Sequence, residues 1–434
     1  MNKIFLDRIH SIHFIGIGGI GVSAIARMML LRDVRVSGSD KALSVVTDRL
    51  VSLGARIFVG HEVKNLPDDP DAVVYSPAVP TDNSELVVAR ERGIPIYSYP
   101  EILGEISRGM HTIAVAGTHG KTTTTAMLAD VFIEAKKSPT VIVGSMLKKW
   151  GDNFVAGESN IFIVEACEYK RSFLHLSPEV LVITNIDNDH LDYYGTIEGV
   201  QKAFQELVEK VPATGVIVCD PNDPRVAPVL TKAVAHIVDY QLGGGASKLR
   251  LQVAGEHNIK NAKAALAVAH VFGIMDETSA RALGGFQGTW RRMEFVGRMA
   301  NGAQVYDDYA HHPTEVRATL QGIRAKHPDE RIRVVFEPHL YSRVKFFQDD
   351  FARGFGDADE VIIAPIYAGR EEVDPLVTKE ILAEVIGRIH PHAHVEGDFV
   401  AIETYLRTTA QKDDIIVLMG AGDVYKLAPR LLEK

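Results

Sequence analysis

The length and composition of the chain limit what it can be. It has 434 residues, of which 46% are hydrophobic and 24% are charged, a balance typical of a globular protein with several domains and not of a disordered or fibrous one. The formal net charge of -9 argues against nucleic acid as a partner, so any phosphate site must be local. The two cysteines exclude a disulfide framework and a four-cysteine zinc site, and they fit a reducing cytoplasm.

Strand-like and helical runs alternate along the whole chain, which predicts an α/β protein with parallel sheets covered by helices. Apolar residues spaced by three and four from Ile197 to Val211 predict a helix that belongs to this scaffold. In chain order, the predicted strands are 11–15, 34–37, 72–75, 112–116, 161–164, 180–183, 215–219, 332–336, 360–364 and 415–419.

The amino terminus imitates a secretory signal. Lys3 and Arg8 precede an apolar run that ends in Ala24-Ile-Ala26, yet Asp7 interrupts the basic part and four glycines fall within six residues, so we reject that interpretation. No other stretch has the length and the lack of charge that a membrane span needs. We therefore expect a cytoplasmic protein that does not insert into a membrane.

A glycine-rich turn follows the first predicted strand. Its sequence, Gly16-Ile-Gly18-Gly19-Ile20-Gly21, matches G-x-G-x-x-G and leads into a helix with an apolar face, an arrangement that binds a diphosphate at a helix N-terminus. Asp40 ends the next strand, at the point where an acid often meets a ribose hydroxyl. An NAD-dependent oxidoreductase is therefore one interpretation, and an enzyme with a nucleoside-diphosphate substrate is another.

A second phosphate loop follows residues 112–116. That β-branched run breaks into seven residues before an amphipathic helix, namely Gly117, Thr118, His119, Gly120, Lys121, Thr122 and Thr123. Small residues let backbone N–H groups face phosphate oxygens, Lys121 adds a charge, and the Thr122 hydroxyl is placed to ligate Mg²⁺. The pattern predicts an ATP site, with a chance Gly-Lys-Thr turn as the alternative. Because redox chemistry would not need this loop, it favours the diphosphate substrate at the first turn.

Two further strands of this region lead to charged side chains. Glu165 ends the run 161–165, and His190 follows the run 180–183. The carboxyl ends of parallel strands meet at one edge of a sheet, so Glu165, His190 and Thr122 could converge on Mg²⁺. A single Glu or His at a strand end is more often a satisfied hydrogen-bonding group, but the pair beside a phosphate loop favours the metal.

A helix is predicted from Asn258 onward. Asn258 and Asn261 are three residues apart and share one face of this helix, where their amides could read an adenine edge, and an N-cap role for Asn258 is equally compatible. The run 243–247 before it is interpreted as a loop within the same domain. Arg291-Arg292 could reach phosphates, although a solvated pair at a domain junction is the usual explanation.

Two polar clusters follow strands in the last third of the chain. One contains Asp308, Tyr309, His311 and His312, and the other runs from Pro338 to Arg343. Clusters of this kind suggest a ligand surface. A zinc site at the two histidines is an alternative, but adjacent side chains would point in different directions.

These features predict three domains. We place boundaries near residues 107 and 295, which gives a Rossmann-like domain at 1–107, a central phosphate-loop domain with a mostly parallel sheet at 108–295, and a Rossmann-like domain at 296–434. The polar stretch 107–111 precedes the strand of the phosphate loop, and the run from Gly284-Gly285 to Gly297 precedes another strand.

Taken together, the motifs resemble those of the Mur ligases of peptidoglycan synthesis, and the likeness runs through the whole chain in order. Within that family the chain is most similar to the ligases that add the first amino acid, L-alanine, and the double-histidine run is the most specific sign. The motifs are the Gly16–Gly21 turn, the Gly117–Thr123 loop, Thr184-Asn-Ile-Asp-Asn-Asp-His190, His257-Asn258-x-x-Asn261-Ala and Asp307-Asp-Tyr-Ala-His-His-Pro313.

The resemblance implies an ATP-dependent carboxylate-amine ligase. The lactyl carboxylate of UDP-N-acetylmuramate would attack the γ-phosphorus to give an acyl phosphate, and the amine of L-alanine would then displace phosphate. ATP is implied as co-substrate and Mg²⁺ as cofactor. We expect a monomer or homodimer. A recycling ligase that joins a preformed murein tripeptide to the same sugar is a related alternative.

The same resemblance assigns roles to individual residues. It implies that the UDP sugar is bound in the first domain by Gly16, Gly18, Gly19, Ile20, Gly21, Asp40 and Ser76. It implies that ATP is bound by the Gly117–Thr123 loop with Asn258, Asn261, Arg292 and Asp308, and that alanine is bound by Tyr309, His311 and Arg343. Magnesium is implied at Thr122, Glu165 and His190, and the implied catalytic residues are Lys121, Glu165, His190, His311 and Arg343.

Overall fold

The structure is a computed structural model that describes residues 8–242, 249–369 and 371–433. Lys3 and Asp7 of the rejected signal, and the glycine-rich run 243–247, lie outside the described residues. The chain divides into two compact units, one built from Met1–Arg250 and Lys260–Phe286 and the other from Leu251–Ile259 and Gln287–Lys434.

The first unit contains two sheets. The first sheet is entirely parallel with strand order β3-β2-β1-β4-β5, which is the Rossmann order without its sixth strand. Its strands are β1 (Ser11–Ile15), β2 (Arg35–Asp40), β3 (Arg56–Val59), β4 (Ala72–Tyr75) and β5 (Ile96–Ser98). Its helices are α1 (Ile20–Leu30), α2 (Val45–Ser52), α3 (Ser84–Glu91) and α4 (Tyr99–Ser107).

The second sheet of this unit has the order β12-β11-β10-β6-β9-β7-β8, and all of its pairs are parallel except the hairpin β7–β8. The strands are β6 (His111–Ala116), β7 (Thr140–Leu147), β8 (Asp152–Val155), β9 (Ile161–Glu165), β10 (Val180–Ile183), β11 (Val216–Cys219) and β12 (His236–Asp239). The helices are α5 (Lys121–Glu134), α6 (Leu191–Tyr194), α7 (Ile197–Val208), α8 (Glu256–Val271) and α9 (Asp276–Gly284).

The second unit contains the third sheet, in the order β13-β14-β18-β15-β16-β17, with one antiparallel pair, β13–β14. Its strands are β13 (Glu294–Arg298), β14 (Gln304–Asp308), β15 (Ile332–Phe336), β16 (Glu360–Ile363), β17 (Ala393–Val395) and β18 (Ile415–Met419). Its helices are α10 (Pro313–Lys326), α11 (Tyr341–Phe346), α12 (Gln348–Ala352), α13 (Lys379–Gly387), α14 (Phe399–Thr409) and α15 (Leu427–Leu432).

The α/β class with mostly parallel sheets is confirmed. Five of the predicted strands, β1, β4, β10, β15 and β18, have the predicted bounds. Every residue of β10, β15 and β18 is buried, as expected for the central strands of parallel sheets covered on both faces. The strands without a counterpart among the predicted ranges are β3, β5, β7, β8, β12, β13, β14 and β17.

A buried polar contact joins the two sheets of the first unit. The guanidinium of Arg27, on α1, donates to Asp152 and Asn153 at the start of β8. Asn153 Nδ2 in turn donates to the carbonyl of Ile20 at 2.7 Å. Both side chains of the Arg27–Asp152 pair are less than one tenth exposed. The first turn of α1 is therefore fastened to the β7–β8 hairpin.

Among the described residues, none of the helices combines the length and the apolar character that crossing a membrane requires.

Candidate functional site

The glycine-rich turn joins the carboxyl end of β1 to the N-terminus of α1. Gly16 has a φ of 76°, which favours glycine, and a Cβ atom placed there would lie 3.0 Å from Cβ of Ser76. Asp40 ends β2 as predicted, and its Oδ2 accepts the Gly18 N–H at 2.7 Å. Asp40 and Ser76 therefore shape the turn, which presents the N-terminus of α1 to an anion.

Tyr99, at the start of α4, packs on the same turn. A Cβ atom placed on Gly21 would lie 2.4 Å from Cζ of the tyrosine ring, so only glycine leaves room for the phenol. Burial, together with the negative charge of Glu165, raises the pKa of the Tyr99 phenol. The side chain therefore stays a neutral donor near both the turn and the end of β9. The sequence carried no signal for Tyr99, because nothing local relates it to Gly21.

The second loop, between β6 and α5, has the form that the sequence predicts. Gly117 and Gly120 have φ values of 137° and 83°, and α5 begins at Lys121. Lys121 Nζ donates to the carbonyls of Gly117 at 2.6 Å and Thr118 at 2.9 Å, and to Glu168 at 2.9 Å. Burial lowers the pKa of Lys121, but the Glu168 carboxylate more than offsets it, so the pKa lies above its ordinary value. The ammonium is therefore charged and held within the loop.

Thr122 lies beside Glu165, as predicted. Its hydroxyl donates to Glu165 Oε1 at 2.9 Å, and the other carboxylate oxygen accepts the N–H of Gly144 on β7 at 2.7 Å. The hairpin β7–β8, which the sequence did not predict, thus holds the carboxylate against the loop.

His190 belongs to a separate group. Its Nε2 lies 3.6 Å from Glu168 and 3.7 Å from Asp189, and the three side chains offer ligand atoms within 4.8 Å of one another, close enough to share a metal ion. His190 has a φ of 53°, an uncommon conformation for a residue other than glycine, and such conformations cluster at functional sites. The predicted set of Thr122, Glu165 and His190 is thus divided between two groups. Glu168 and Asp189 were not predicted as site residues, although Asp189 lies in the Thr184–His190 motif.

The two predicted asparagines have different surroundings. A Cβ atom placed on Gly120 would lie 2.4 Å from Asn261 Oδ1, so Asn261 packs directly on the phosphate loop. Asn258 lies inside α8, which begins at Glu256, and its amide donates to the Ala254 carbonyl at 2.6 Å. The N-cap interpretation of Asn258 is therefore wrong.

The interpretation of Arg291-Arg292 as a solvated pair is wrong for Arg291, which is 3% exposed. Its guanidinium donates to Asp307 at 3.0 Å and to the carbonyls of Gly420 at 2.6 Å and Gly422 at 3.2 Å. The guanidinium carbons of Arg291 and Arg292 lie 5.1 and 5.2 Å from the ring centre of Tyr309. Arg291 thus joins the ends of β14 and β18 and contacts a predicted amino-acid-binding residue.

Asp308 is buried at the end of β14. Its carboxylate accepts the N–H groups of Met293 at 2.6 Å and Ala310 at 2.8 Å. Burial raises the pKa of Asp308, and the charge of Arg292 opposes this shift. The carboxylate is therefore held by backbone donors in the loop that leads to Tyr309.

The two adjacent histidines point in different directions, as the sequence analysis anticipated. His312 is the N-cap of α10 and its Nδ1 accepts the N–H of Thr314 at 3.2 Å. His311 Nδ1 lies 2.9 Å from the Tyr309 carbonyl, and because a carbonyl only accepts, Nδ1 carries the proton.

Arg343 lies on α11, near His339, a residue of the same predicted polar cluster to which no individual role was assigned. Its Nη1 donates to His339 Nδ1 at 2.9 Å. The ring of His339 is 5.5 Å from that of His311 and is stacked at 5.5 Å on that of Tyr367. Within the second unit, His311 and Arg343 are therefore brought together through His339.

The fold and the two anion-binding turns define an ATP-using α/β enzyme. The chain belongs to the Mur ligase family. Residues 11–111 match the Mur ligase family, catalytic domain; residues 115–252 match the Mur ligase middle domain; and residues 291–422 match the Mur ligase, glutamate ligase domain.

Similar proteins cover the whole chain. A UDP-N-acetylmuramate--L-alanine ligase of Clostridium acetobutylicum is 39% identical over 98% of this chain and 97% of its own length. The structure of a UDP-N-acetylmuramate-alanine ligase of Thermotoga maritima matches with a TM-score of 0.77 at 28% identity, over 97% of this chain and 98% of that one. A murein peptide ligase of Psychrobacter arcticus matches with a TM-score of 0.69 at 27% identity, over 98% of each chain.

Proposed function

We propose that this protein joins L-alanine to the lactyl carboxylate of UDP-N-acetylmuramate in a reaction driven by ATP, through an acyl phosphate, with release of ADP and phosphate. The observation that carries this function is the full-length likeness to a UDP-N-acetylmuramate--L-alanine ligase, at 39% identity over 98% of the chain. The two anion-binding turns, one for the UDP sugar and one for ATP, agree with it.

The first turn is assigned to the UDP sugar. Gly16, Gly18, Gly19, Ile20 and Gly21 form the turn, and Asp40 and Ser76 shape it. Backbone N–H groups at the N-terminus of α1 would bind the diphosphate. Asp40 accepts a loop N–H in the structure, which gives it a role that does not depend on a dinucleotide ribose.

The Gly117–Thr123 loop is assigned to ATP. Asn261 packs on it, and Asn258, Arg292 and Asp308 are proposed to contact the nucleotide. Lys121 would exchange its bonds to the loop carbonyls and Glu168 for the β- and γ-phosphates. Positioning and charge neutralisation account for most of the catalysis of phosphoryl transfer, so no protein nucleophile is needed for the carboxylate to attack the γ-phosphorus.

Mg²⁺ is part of this proposal. Thr122 and Glu165 offer a hydroxyl and a carboxylate oxygen 2.9 Å apart, and Glu168, Asp189 and His190 form a second group. These donors fit the ion, because Mg²⁺ is usually held by one or two carboxylates together with substrate phosphates. When bound, it would neutralise charge on the phosphate oxygens.

Alanine is assigned to Tyr309, His311 and Arg343. The planar fork of Arg343 matches a carboxylate, and the hydrogen bond to His339 fixes its position. The proton on Nδ1 of His311 makes Nε2 the basic nitrogen of the neutral ring. That nitrogen is suited to accept the proton that the alanine ammonium must lose before it can attack the acyl phosphate.

The recycling ligase is the second candidate within the family. The structural likeness to the murein peptide ligase of Psychrobacter arcticus, with a TM-score of 0.69, supports this second candidate. The NAD-dependent oxidoreductase is set aside, because membership of the Mur ligase family makes the chain a ligase. We further propose domain boundaries near residues 107 and 295, a cytoplasmic location and a monomer or homodimer.

Parallel assays test this function. Purified protein with ATP, Mg²⁺ and UDP-N-acetylmuramate should release phosphate when L-alanine is added, and mass spectrometry should find the alanyl product. A signal with murein tripeptide and none with alanine would establish the recycling reaction instead. Phosphate release that does not depend on UDP-N-acetylmuramate would contradict both ligase functions.

A further inference from the structure

The phosphate loop is held from outside by the run that follows β10. Thr184 donates its hydroxyl to the His119 carbonyl at 2.6 Å, and Thr118 donates its N–H to the Asn185 carbonyl at 3.0 Å. A Cβ atom placed on Gly117 would lie 1.9 Å from Thr184 Oγ1. Thr184 and Gly117 are therefore matched in size, and the loop is seated on the end of the neighbouring strand.

Asn185 makes the most specific contact in this group. Its Oδ1 accepts the His119 N–H at 2.9 Å, and its Nδ2 donates to the His119 carbonyl, also at 2.9 Å. The side-chain amide of Asn185 thus pairs with both the backbone N–H and the backbone carbonyl of His119. Aspartate could reproduce the accepted bond but not the donated one, and leucine could reproduce neither.

These bonds determine which N–H groups of the loop remain for phosphate. The amides of Thr118 and His119 already have acceptors in Asn185. The amides of the first turn of α5 have no acceptor one turn earlier in the helix, as at the start of any helix. The cradle that faces phosphate is therefore shorter than the full glycine-rich loop.

We propose that Asn185 is a positioning residue for ATP. Its side-chain oxygen accepts the N–H of His119, so that phosphate is bound by the backbone amides of residues 120–123 and by Lys121. This inference rests on the proposed ATP site and refines it, since Thr118 and His119 then shape the loop without donating their amides to phosphate. Thr184-Asn185 directly follows the buried strand β10 and begins the Thr184–His190 motif, but His190 is the residue of that motif to which the sequence assigns a role.

Binding measurements on the full chain test the proposal. Asn185→Leu has a similar size and removes both bonds to His119, so the affinity for ATP should fall by about tenfold or more, while KM for UDP-N-acetylmuramate should stay unchanged. Asn160→Leu is the control, because Asn160 is exposed in the turn before β9, at the opposite edge of the sheet. A merely structural role would weaken both substrates together and would overturn the proposal.

Hydrogen exchange of the loop amides gives a direct readout. In the protein without nucleotide, the His119 amide should already be protected and ATP should add protection only at residues 120–123. Asn185→Asp, which retains the acceptor, should keep the His119 amide protected, and this variant decides the matter if Asn185→Leu does not fold. A His119 amide that exchanges freely until ATP binds would overturn the proposal.

The proposed function and the role of Asn185 would be contradicted by different results. If the wild-type protein does not bind ATP, the proposed function fails. If it binds ATP and the Asn185 variants bind it equally well, only the role of Asn185 is wrong.

Discussion

Lys121 is the side chain whose charge the proposed phosphoryl transfer needs most. It is buried and held by Glu168 and two loop carbonyls, so its ammonium is already placed at the loop before nucleotide arrives. Replacing it with alanine should lower kcat by about a hundredfold or more, because a preorganised charge at the transferring phosphoryl group is lost. Lys210→Ala, at an exposed position after α7, is the control in the same phosphate-release assay. Unchanged turnover in Lys121→Ala would refute the assignment of the loop.

Arg291 and Arg292 are adjacent in sequence, but we expect a structural role for the first and a role in ATP binding for the second. Arg291 donates to Asp307 and to the carbonyls of Gly420 and Gly422, and lysine cannot reproduce that planar fork. Arg291→Lys should therefore lower the free energy of unfolding by about 1–3 kcal/mol. Arg292→Lys should cost less stability, because its side chain is 30% exposed and its ion pair with Glu315 is longer, at 3.7 Å, and it should raise KM for ATP. Thermal unfolding and steady-state kinetics on both variants check this division, which fails if the two variants behave alike.

At the scale of single elements, α3 is attached to the first sheet by one buried carboxylate. Glu85 accepts hydrogen bonds from His13 at 3.0 Å, Ser39 at 2.7 Å, Asn65 at 3.0 Å and the Glu62 N–H at 3.0 Å. Burial alone would raise the pKa of Glu85, but these hydrogen bonds outweigh it and the pKa lies below its ordinary value. The ionised form is therefore the one that the folded protein stabilises.

The lowered pKa of Glu85 makes the stability of the folded protein depend on pH in a definite direction. Because the pKa of Glu85 is lower in the folded state than in the unfolded state, its contribution is present above the unfolded pKa and is lost as pH falls through the folded pKa. Glu85→Gln should be less stable than wild type at pH 7 by about 1–3 kcal/mol, and the difference should shrink on acidification below about pH 4.

Urea unfolding at several pH values measures this difference. Glu91→Gln is the matched control, because Glu91 ends the same helix and is exposed. A gap between wild type and Glu85→Gln that is constant with pH would contradict the argument.

The sequence predicted the elements whose pattern is local. The β10, β15 and β18 runs are continuous and apolar, and the two glycine-rich turns have spacings that only certain backbone conformations satisfy. The short strands β3, β5, β12 and β17 were missed because none of their residues is buried, so no apolar run marks them, unlike the equally short β4 and β10. The β7–β8 hairpin was missed too, although it supplies the Gly144 N–H that holds Glu165.

The same limit applies within the site. Glycine, lysine and threonine of the phosphate loop were found because their spacing encodes their function. Asn185 and Tyr99 were given no role, and Arg291 was interpreted as part of a solvated pair, because each acts through a partner distant in sequence, such as His119, Gly21 or Gly420. Contacts of this kind are decided by which strands become neighbours, and a single sequence does not reveal that.

At the scale of the whole molecule, Arg27 forms a buried ionic link between the two sheets of the first unit, beside a hydrophobic core that contains residues of both. It pairs with Asp152, and both side chains are less than one tenth exposed. Arg49 pairs with the same carboxylate at 3.0 Å, but its side chain is 49% exposed. Arg27 and Arg49 thus pair with the same carboxylate, but the first is buried and the second is exposed. Substitution of each arginine therefore compares a buried with an exposed ion pair.

Removing one partner of a buried ion pair leaves an uncompensated charge, which costs about 3–5 kcal/mol, whereas an exposed pair contributes about 0–1 kcal/mol. Arg27→Met should therefore have a midpoint of thermal unfolding well below that of Arg49→Met. Because Arg49 remains beside Asp152, the free-energy cost of Arg27→Met should lie near the lower end of the range for a buried pair, at about 3 kcal/mol. The substitution should also expose the segment between α4 and β6 to proteolysis, since the first sheet is then held to the second by fewer contacts. Calorimetry and limited proteolysis measure the two effects. Equal shifts of the midpoint in both variants would show that the Arg27 contact does not fasten the sheets together.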